Sequence, residues 1–377
     1  MRVFVALILV VQLSFGCEIR PVLWSPSPTA DALFRFERGN KAGFIDSTGK
    51  IVVQPKFPAD DADGEFSGGL LSLGNSSGPF IDATGKQVLG DELDRVWDFH
   101  EGLAAALKAF GGSSPWGYID RTGAWAISPR FPSYPGGLVS DFSEGRAAIE
   151  MENKVGYVDR TGQFVIPLQF AAGKSFSDGA AVVAISGPCS YAVFGGCFPS
   201  IKSAPFTGPS ANRSESLPAC RWSYIDKSGQ RLFDADFEEA GDFHEGLAAV
   251  QVAGKWGYVD KRGIFLVTPR YLSAEPFSGG LAFVNDGTMS GFINSAGVLQ
   301  FTAKTGAGFS EGVTFVGDRE NGFTFVDKNG RQVIREAFEL ADRFFHGLAH
   351  VKLRGYKDEF AYIDHTGRHV FTYRGRM

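Results

Sequence analysis

With 377 residues, of which 44% are hydrophobic and 21% charged, the chain has the apolar content of an ordered protein, which excludes a polar disordered tract as its default state. A formal net charge of −5 gives no basic footprint for phosphate backbones, so nucleic acid is set aside as a partner. The 35 Phe and 48 Gly beside only 4 Met favour strands joined by tight turns over long helices, because aromatics suit pleated surfaces and Gly weakens helix interiors.

In chain order, Met1-Arg2 and the apolar run Val3 to Val11 precede Ser14-Phe15-Gly16-Cys17. A short positive start, an apolar stretch of this length and small residues before a cut read as a signal peptide over 1–16, followed by a linker over 17–30. The run is too short to span a bilayer, which takes roughly 20 apolar residues. Cys17 directly after the cut also raises a lipid anchor, although Ser14 stands where such signals usually carry Leu. The expected destination is the periplasm, the cell surface or the medium, with membrane contact only through that anchor.

From residue 31 to 377 one pattern recurs nine times: an aromatic, Ile or Val, Asp or Asn, two polar or small residues, then Gly. Its acidic or amide positions are Asp46, Asp82, Asp120, Asp159, Asp226, Asp260, Asn294, Asp327 and Asp364. They are separated by 36, 38, 39, 67, 34, 34, 33 and 37 residues, so one period near 36 holds except across a single long interval. A second element keeps the same register: Phe, Ser or His, an acidic residue or Gly, then Gly, as at Phe142-Ser143-Glu144-Gly145 and Phe243-His244-Glu245-Gly246.

The sixth unit shows the physics. Leu247 to Val252, Trp256 to Asp260 and Ile264 to Thr268 alternate as three short strands around two tight turns. Asp260 opens the second turn by accepting backbone N–H bonds, and Gly263 closes it in the left-handed conformation. Pro269, like Pro55 and Pro129, interrupts the third strand by removing a ladder donor. Trp256 and Tyr258 share a face, as do Trp116 and Tyr118, while Gly257 lets another backbone approach. Burying one such ring is worth roughly 1.5–3 kcal/mol, too little for a single unit, so neighbours must stack.

The segment Gly254-Lys255-Trp256-Gly257-Tyr258-Val259-Asp260 resembles the core of the bacterial WG (KWG) repeat family, and Trp116-Gly117-Tyr118-Ile119-Asp120 matches it well. Elsewhere the match is partial: Gly43, Gly156 and Gly291 keep the Gly without the Trp, and four units lose both. The resemblance spans roughly 31–377 and implies a β-rich, often exported bacterial repeat protein with no catalytic site to carry over. The fold expected is all-β, nine three-stranded units in tandem. An open, twisted array is favoured over a closed propeller-like ring, because no strand is left over at either end and nine units exceed the usual four to eight blades.

The long interval holds an insertion over 186–221 in the fifth unit, between its first and second strands. It carries Cys189, Cys197 and Cys220, and a local Cys189–Cys197 disulfide is expected for an exported chain. Insertions in repeat proteins fall on one face and often meet partners, which points to this segment as a recognition element.

No residue pattern demands a cofactor or metal. His100, His244 and His346 read as equivalent positions in separate units. His365 and His369 flank a hairpin Gly, and Asp60-Asp61-Ala62-Asp63-Gly64-Glu65 lacks the alternating ligands of a calcium loop. The recurring Asp residues, beside an equally recurrent Gly, read as turn formers and not as paired catalytic carboxylates. The expectation is therefore a non-enzymatic exported scaffold that binds a protein or a polysaccharide at the cell envelope. A carbohydrate-active enzyme on a propeller-like array and a purely structural surface protein are the alternatives.

Overall fold

The computed structural model describes residues 32–62, 64–74, 79–89, 93–108, 114–133, 138–186 and 220–375. Within them lie 31 strands, one 3₁₀ turn at Ala59–Asp61, and no α-helix. The strands form nine separate antiparallel sheets, none closed into a barrel, one for each repeat unit in chain order.

Unit 6 again sets the plan. Its first strand, Leu247–Val252, pairs in register with the second, Lys255–Asp260, through Ala249↔Tyr258 and Val250↔Gly257. The third, Phe265–Tyr271, pairs with the second through Tyr258↔Val267 and Trp256↔Tyr271, with register shifts around Pro269. The bulge presses backbone onto the second strand: a Cβ on Gly257 would stand 2.5 Å from the Val267 carbonyl oxygen and 2.7 Å from the Pro269 nitrogen. The close approach expected at this Gly therefore comes from its own unit's third strand.

Three strands are not the whole unit. Five of the nine sheets gain a fourth, two-residue strand just before the Phe-Ser-Glu-Gly element, such as Glu239–Ala240 in unit 6, within what reads in sequence as loop. Unit 8 is the reduced case, a two-stranded sheet of Val313–Asp318 and Gly322–Asp327.

A sheet this small has no interior of its own. Its core lies between units: Tyr258 and Ala249 of unit 6 pack with Phe277, Val284 and Ile293 of unit 7, and Tyr118 of unit 3 packs with Phe142, Ile149 and Val158 of unit 4. Each such Tyr ring meets the next unit's Phe near 4.8 Å, as in Tyr118–Phe142 and Tyr258–Phe277. Its hydroxyl donates to a carbonyl of that unit: Tyr118 to Ser140, Tyr157 to Lys174, Tyr224 to Gly241 and Tyr258 to Glu275, at 2.6–2.8 Å. The pairing satisfies the one polar atom that would otherwise be buried alone.

The favoured open ends give way to contact between the two ends. Tyr362 of unit 9 packs with Phe34, Phe36 and Ile45 of unit 1, and its hydroxyl donates to the Arg35 carbonyl at 2.6 Å. Gly49 in the unit 1 turn sits against Val370 of unit 9, as Gly85 sits against Val53 and Gly297 against Val267 between successive units. The nine sheets thus close into a ring by the same contacts that join neighbours. A spare strand is unnecessary because whole sheets meet face to face and no sheet is shared between the termini.

Candidate functional site

Strand direction sorts the connections onto two sides. The hairpin between first and second strands leaves one side of every unit, and the Asp-x-x-Gly turn and the Phe-Ser-Glu-Gly element lie together on the other.

The turn side is uniform. Asp46 accepts from the Thr48 amide and hydroxyl at 2.9 and 2.6 Å and from the Lys50 amide at 3.1 Å. Asp82, Asp120, Asp159, Asp226 and Asp364 repeat this set; Asp260, Asn294 and Asp327 keep its backbone bonds. A Thr or Ser hydroxyl and the amides of its own turn hold carboxyls such as Asp120 below the usual carboxylate range, and Asp364, where burial opposes these bonds and the Arg368 side chain, still falls to about 2. Carboxylates spent on their own turns do not converge as an acid/base pair.

The Phe-Ser-Glu-Gly element clasps the next unit. The Ser hydroxyl donates to the next unit's Phe carbonyl, as in Ser143 to Phe176 and Ser310 to Phe344, both at 2.6 Å. The acid, held at positive φ, accepts from the next unit's Gly N–H: Glu101 from Gly145, Glu144 from Gly179, Asp178 from Gly246, Glu245 from Gly279 and Gly280, and Glu311 from Gly347. In four of these the same carboxylate also pairs with the residue after the next unit's turn Asp: Arg160 at 3.6 Å, Lys227 at 3.1 Å, Lys261 at 2.9 Å and His365 at 3.2 Å. Sequence shows this clasp only as two motifs in register; that the acid of one unit serves the next is a fact of stacking.

The histidines are dispersed. His100 and His244 occupy one position, but Phe345 is their equivalent in unit 9, since Phe345 bridges Leu348 as His100 bridges Leu103. His346 stands one place later, at the acid's position, with φ 48°. His365 stacks on Phe344 at 4.0 Å and pairs with Glu311, while His369 pairs with Glu336 at 2.9 Å, so the two do not share a ligand. Asp60 and Asp61 lie in the 3₁₀ turn. Glu65 is largely buried, and burial, with Asp342 and Asp98 nearby, raises its pKa against the pull of Arg343. Among the described residues no group of three His, Cys, Asp or Glu is placed to hold a metal ion. Trp116, Tyr118 and Tyr258 are buried in the inter-unit core and Trp256 half-buried. Cys17, Cys189, Cys197 and Asp63 lie outside the described residues.

The hairpin side is varied. Units 1, 4 and 6 turn on two residues, Gly39-Asn40, Glu152-Asn153 and Ala253-Gly254, whereas the connections of units 2, 3, 5 and 9 are longer. In unit 5 the first strand, Ala181–Ser186, and the second, Arg221–Ile225, pair directly, so the insertion leaves from this side. Where units 9 and 1 meet, a cleft of about 740 Å³ opens between their hairpins, lined by Glu37, Asn40, Tyr356, Asp358, Glu359 and Arg374 among others. Tyr356 at its edge is 59% exposed. Just inside the seam, His350 lies opposite Tyr362, where Ala105, Ala148 and Ala249 face Tyr118, Tyr157 and Tyr258. It contacts the Asp342 carboxylate at 3.2 Å and the Tyr373 hydroxyl at 2.9 Å. Departure from the Ala of units 3, 4 and 6 was the available signal for it.

Fold and surface together define an all-β repeat scaffold. The WG containing repeat model matches residues 43–71, 80–109, 116–154, 156–187, 222–256 and 256–287, more than half of the chain, and the protein belongs to that family. No curated protein matches it. Among solved structures it is similar to BamB from Moraxella catarrhalis (10% identity, 80% of this chain and 92% of that one, TM-score 0.38). It is also similar to dipeptidyl peptidase 4 from Porphyromonas gingivalis (9% identity, 91% and 59%, TM-score 0.47). Among the described residues no helix is long and apolar enough to cross a membrane.

Proposed function

We propose that this protein is an exported binding scaffold whose hairpin side recognises a protein or polysaccharide at the cell envelope. The observation that supports this reading is the asymmetry between the two sides: the turns of one are nearly identical in all nine units, while the longest connections gather on the other. Loops on a rigid frame are where recognition concentrates, because they vary without cost to the core. The seam cleft, with an exposed Tyr flanked by carboxylates, suits a ligand with both apolar and polar faces. The signal-peptide pattern at 1–16 supports export, with Cys17 as the point of a lipid anchor.

The test is capture of partners from envelope extract, with glycan binding in parallel, by the intact protein and by a version lacking Gly187 to Ala219. Capture lost with the deletion places recognition in the insertion. Capture retained by the deletion but lost in Tyr356→Ala places it at the seam. Binding to neither protein nor glycan would overturn the proposal.

A further inference from the structure

Four of the carboxylate clasps share one donor set: a Gly N–H from the next unit and the residue after that unit's turn Asp. At two junctions the donors remain and the acid is gone. In unit 2 Gly68 stands at the acid's place, and unit 3 keeps Gly102 and Arg121; in unit 7 Gly279 stands there, and unit 8 keeps Gly312 and Lys328. The equivalence is conformational as well as sequential, since Gly68 and Gly279 have φ 61° and 64°, close to the 51–53° of Glu101, Glu144, Asp178, Glu245 and Glu311. The cations have also kept their place: a Cβ on Gly68 would lie 2.9 Å from the Arg121 guanidinium, and one on Gly279 3.5 Å from the Lys328 ammonium. Arg121 and Lys328 are exposed, so the cation of each site is open to solvent.

We infer that the junctions of units 2 with 3 and 7 with 8 are carboxylate-binding sites, each shaped for an acidic side chain of a protein partner. The occupant follows from the sister junctions, where the same donors hold a Glu or Asp carried on a tight turn. One N–H and one cation match one carboxylate, and a guanidinium or ammonium beside an amide N–H is a strong donor pair for it. A single exposed pair is weak, so each site takes an isolated carboxylate with a dissociation constant on the order of millimolar. A partner reaching both sites gains through effective concentration. These sites lie on the turn side, away from the hairpins, and stand or fall independently of the scaffold's recognition loops.

The experiment titrates N-acetylglutamate, and then the peptide acetyl-Phe-Ser-Glu-Gly-amide, into the purified protein with ¹⁵N-glycine labelling. N-acetylglutamine is the neutral control. Expected are saturable shifts at the Gly102 and Gly312 amides with none at Gly145 and Gly179, whose amides already serve internal acids. Gly68→Glu, which supplies the missing acid, abolishes the Gly102 response and leaves that of Gly312; Arg121→Gln weakens only Gly102, and Lys328→Gln only Gly312. Equal shifts with the neutral control, no shift, or a Gly102 response that survives Gly68→Glu would each overturn the assignment. Tighter binding of an oligouronate than of a peptide of equal charge at these two amides would overturn the protein-partner assignment in favour of a polysaccharide.

Discussion

At the scale of single residues, the turn carboxylates make the molecule acid-sensitive in a calculable direction. Eight of them, Asp46, Asp82, Asp120, Asp159, Asp226, Asp260, Asp327 and Asp364, are held below the usual range. A group depressed on folding stabilises above its unfolded value of about 3.9 and ceases to do so as pH falls through its folded value. Stability is therefore lost from about pH 4 downward, to about 2 for Asp364. Glu65 and Asp98, raised chiefly by burial, act the other way and soften the upper part of that fall. Changing Asp46, Asp82, Asp120 and Asp159 together to Asn, the residue that already serves at position 294, is expected to keep the fold and shrink the loss of Tm between pH 4 and 2. An unchanged pH profile would remove the turns as its source. Tyr258→Phe deletes the donor to the Glu275 carbonyl at 2.6 Å and is expected to cost about 0.5–1.5 kcal/mol in urea melts, with the ring retained, since Phe292 and Phe325 fill the equivalent position.

Among the elements, what was local was legible. Asp-x-x-Gly is a complete turn in five residues, so its recurrence gave the strands on either side and the count of nine units. The two-residue leading strands were not legible, because so short a segment carries no alternation. Neither was the clasp, whose two halves belong to different units. The Gly of the second strand was readable as a point of close approach, and its partner, the bulged third strand, came only with the fold. Gly257→Ala would drive a Cβ into backbone at 2.5 Å and is expected to cost at least ~1–3 kcal/mol, read as a fall in Tm with lost near-ultraviolet dichroism. A variant as stable as the parent would show that the third strand can move aside.

For the whole molecule, closure is the feature that pattern alone could not supply. It depends on Tyr362 meeting Arg35, 327 positions away in sequence, and nothing in either segment announces the other. At the seam Phe34 packs on Tyr362 at 5.3 Å, and His350, with its Asp342 and Tyr373 contacts, stands where units 3, 4 and 6 carry Ala. A double-mutant cycle of Phe34→Ala and Tyr362→Ala measures closure in solution. A coupling of about 0.5–1.5 kcal/mol is expected for packed rings. Strict additivity would mean that the ends do not meet.

Because the join between last and first units repeats the joins inside the chain, it is a head-to-tail interface between unlike surfaces that closes only because the rotation comes full circle. A molecule caught with its seam apart carries two mutually fitting ends, and those of a second such molecule fit equally well. Ring formation therefore competes with concatenation, and the outcome turns on whether a chain finds its own end before a neighbour's. Tethering favours the former at low concentration, so crowded refolding of this protein is expected to yield ladders of whole-number multimers where dilute refolding yields single rings.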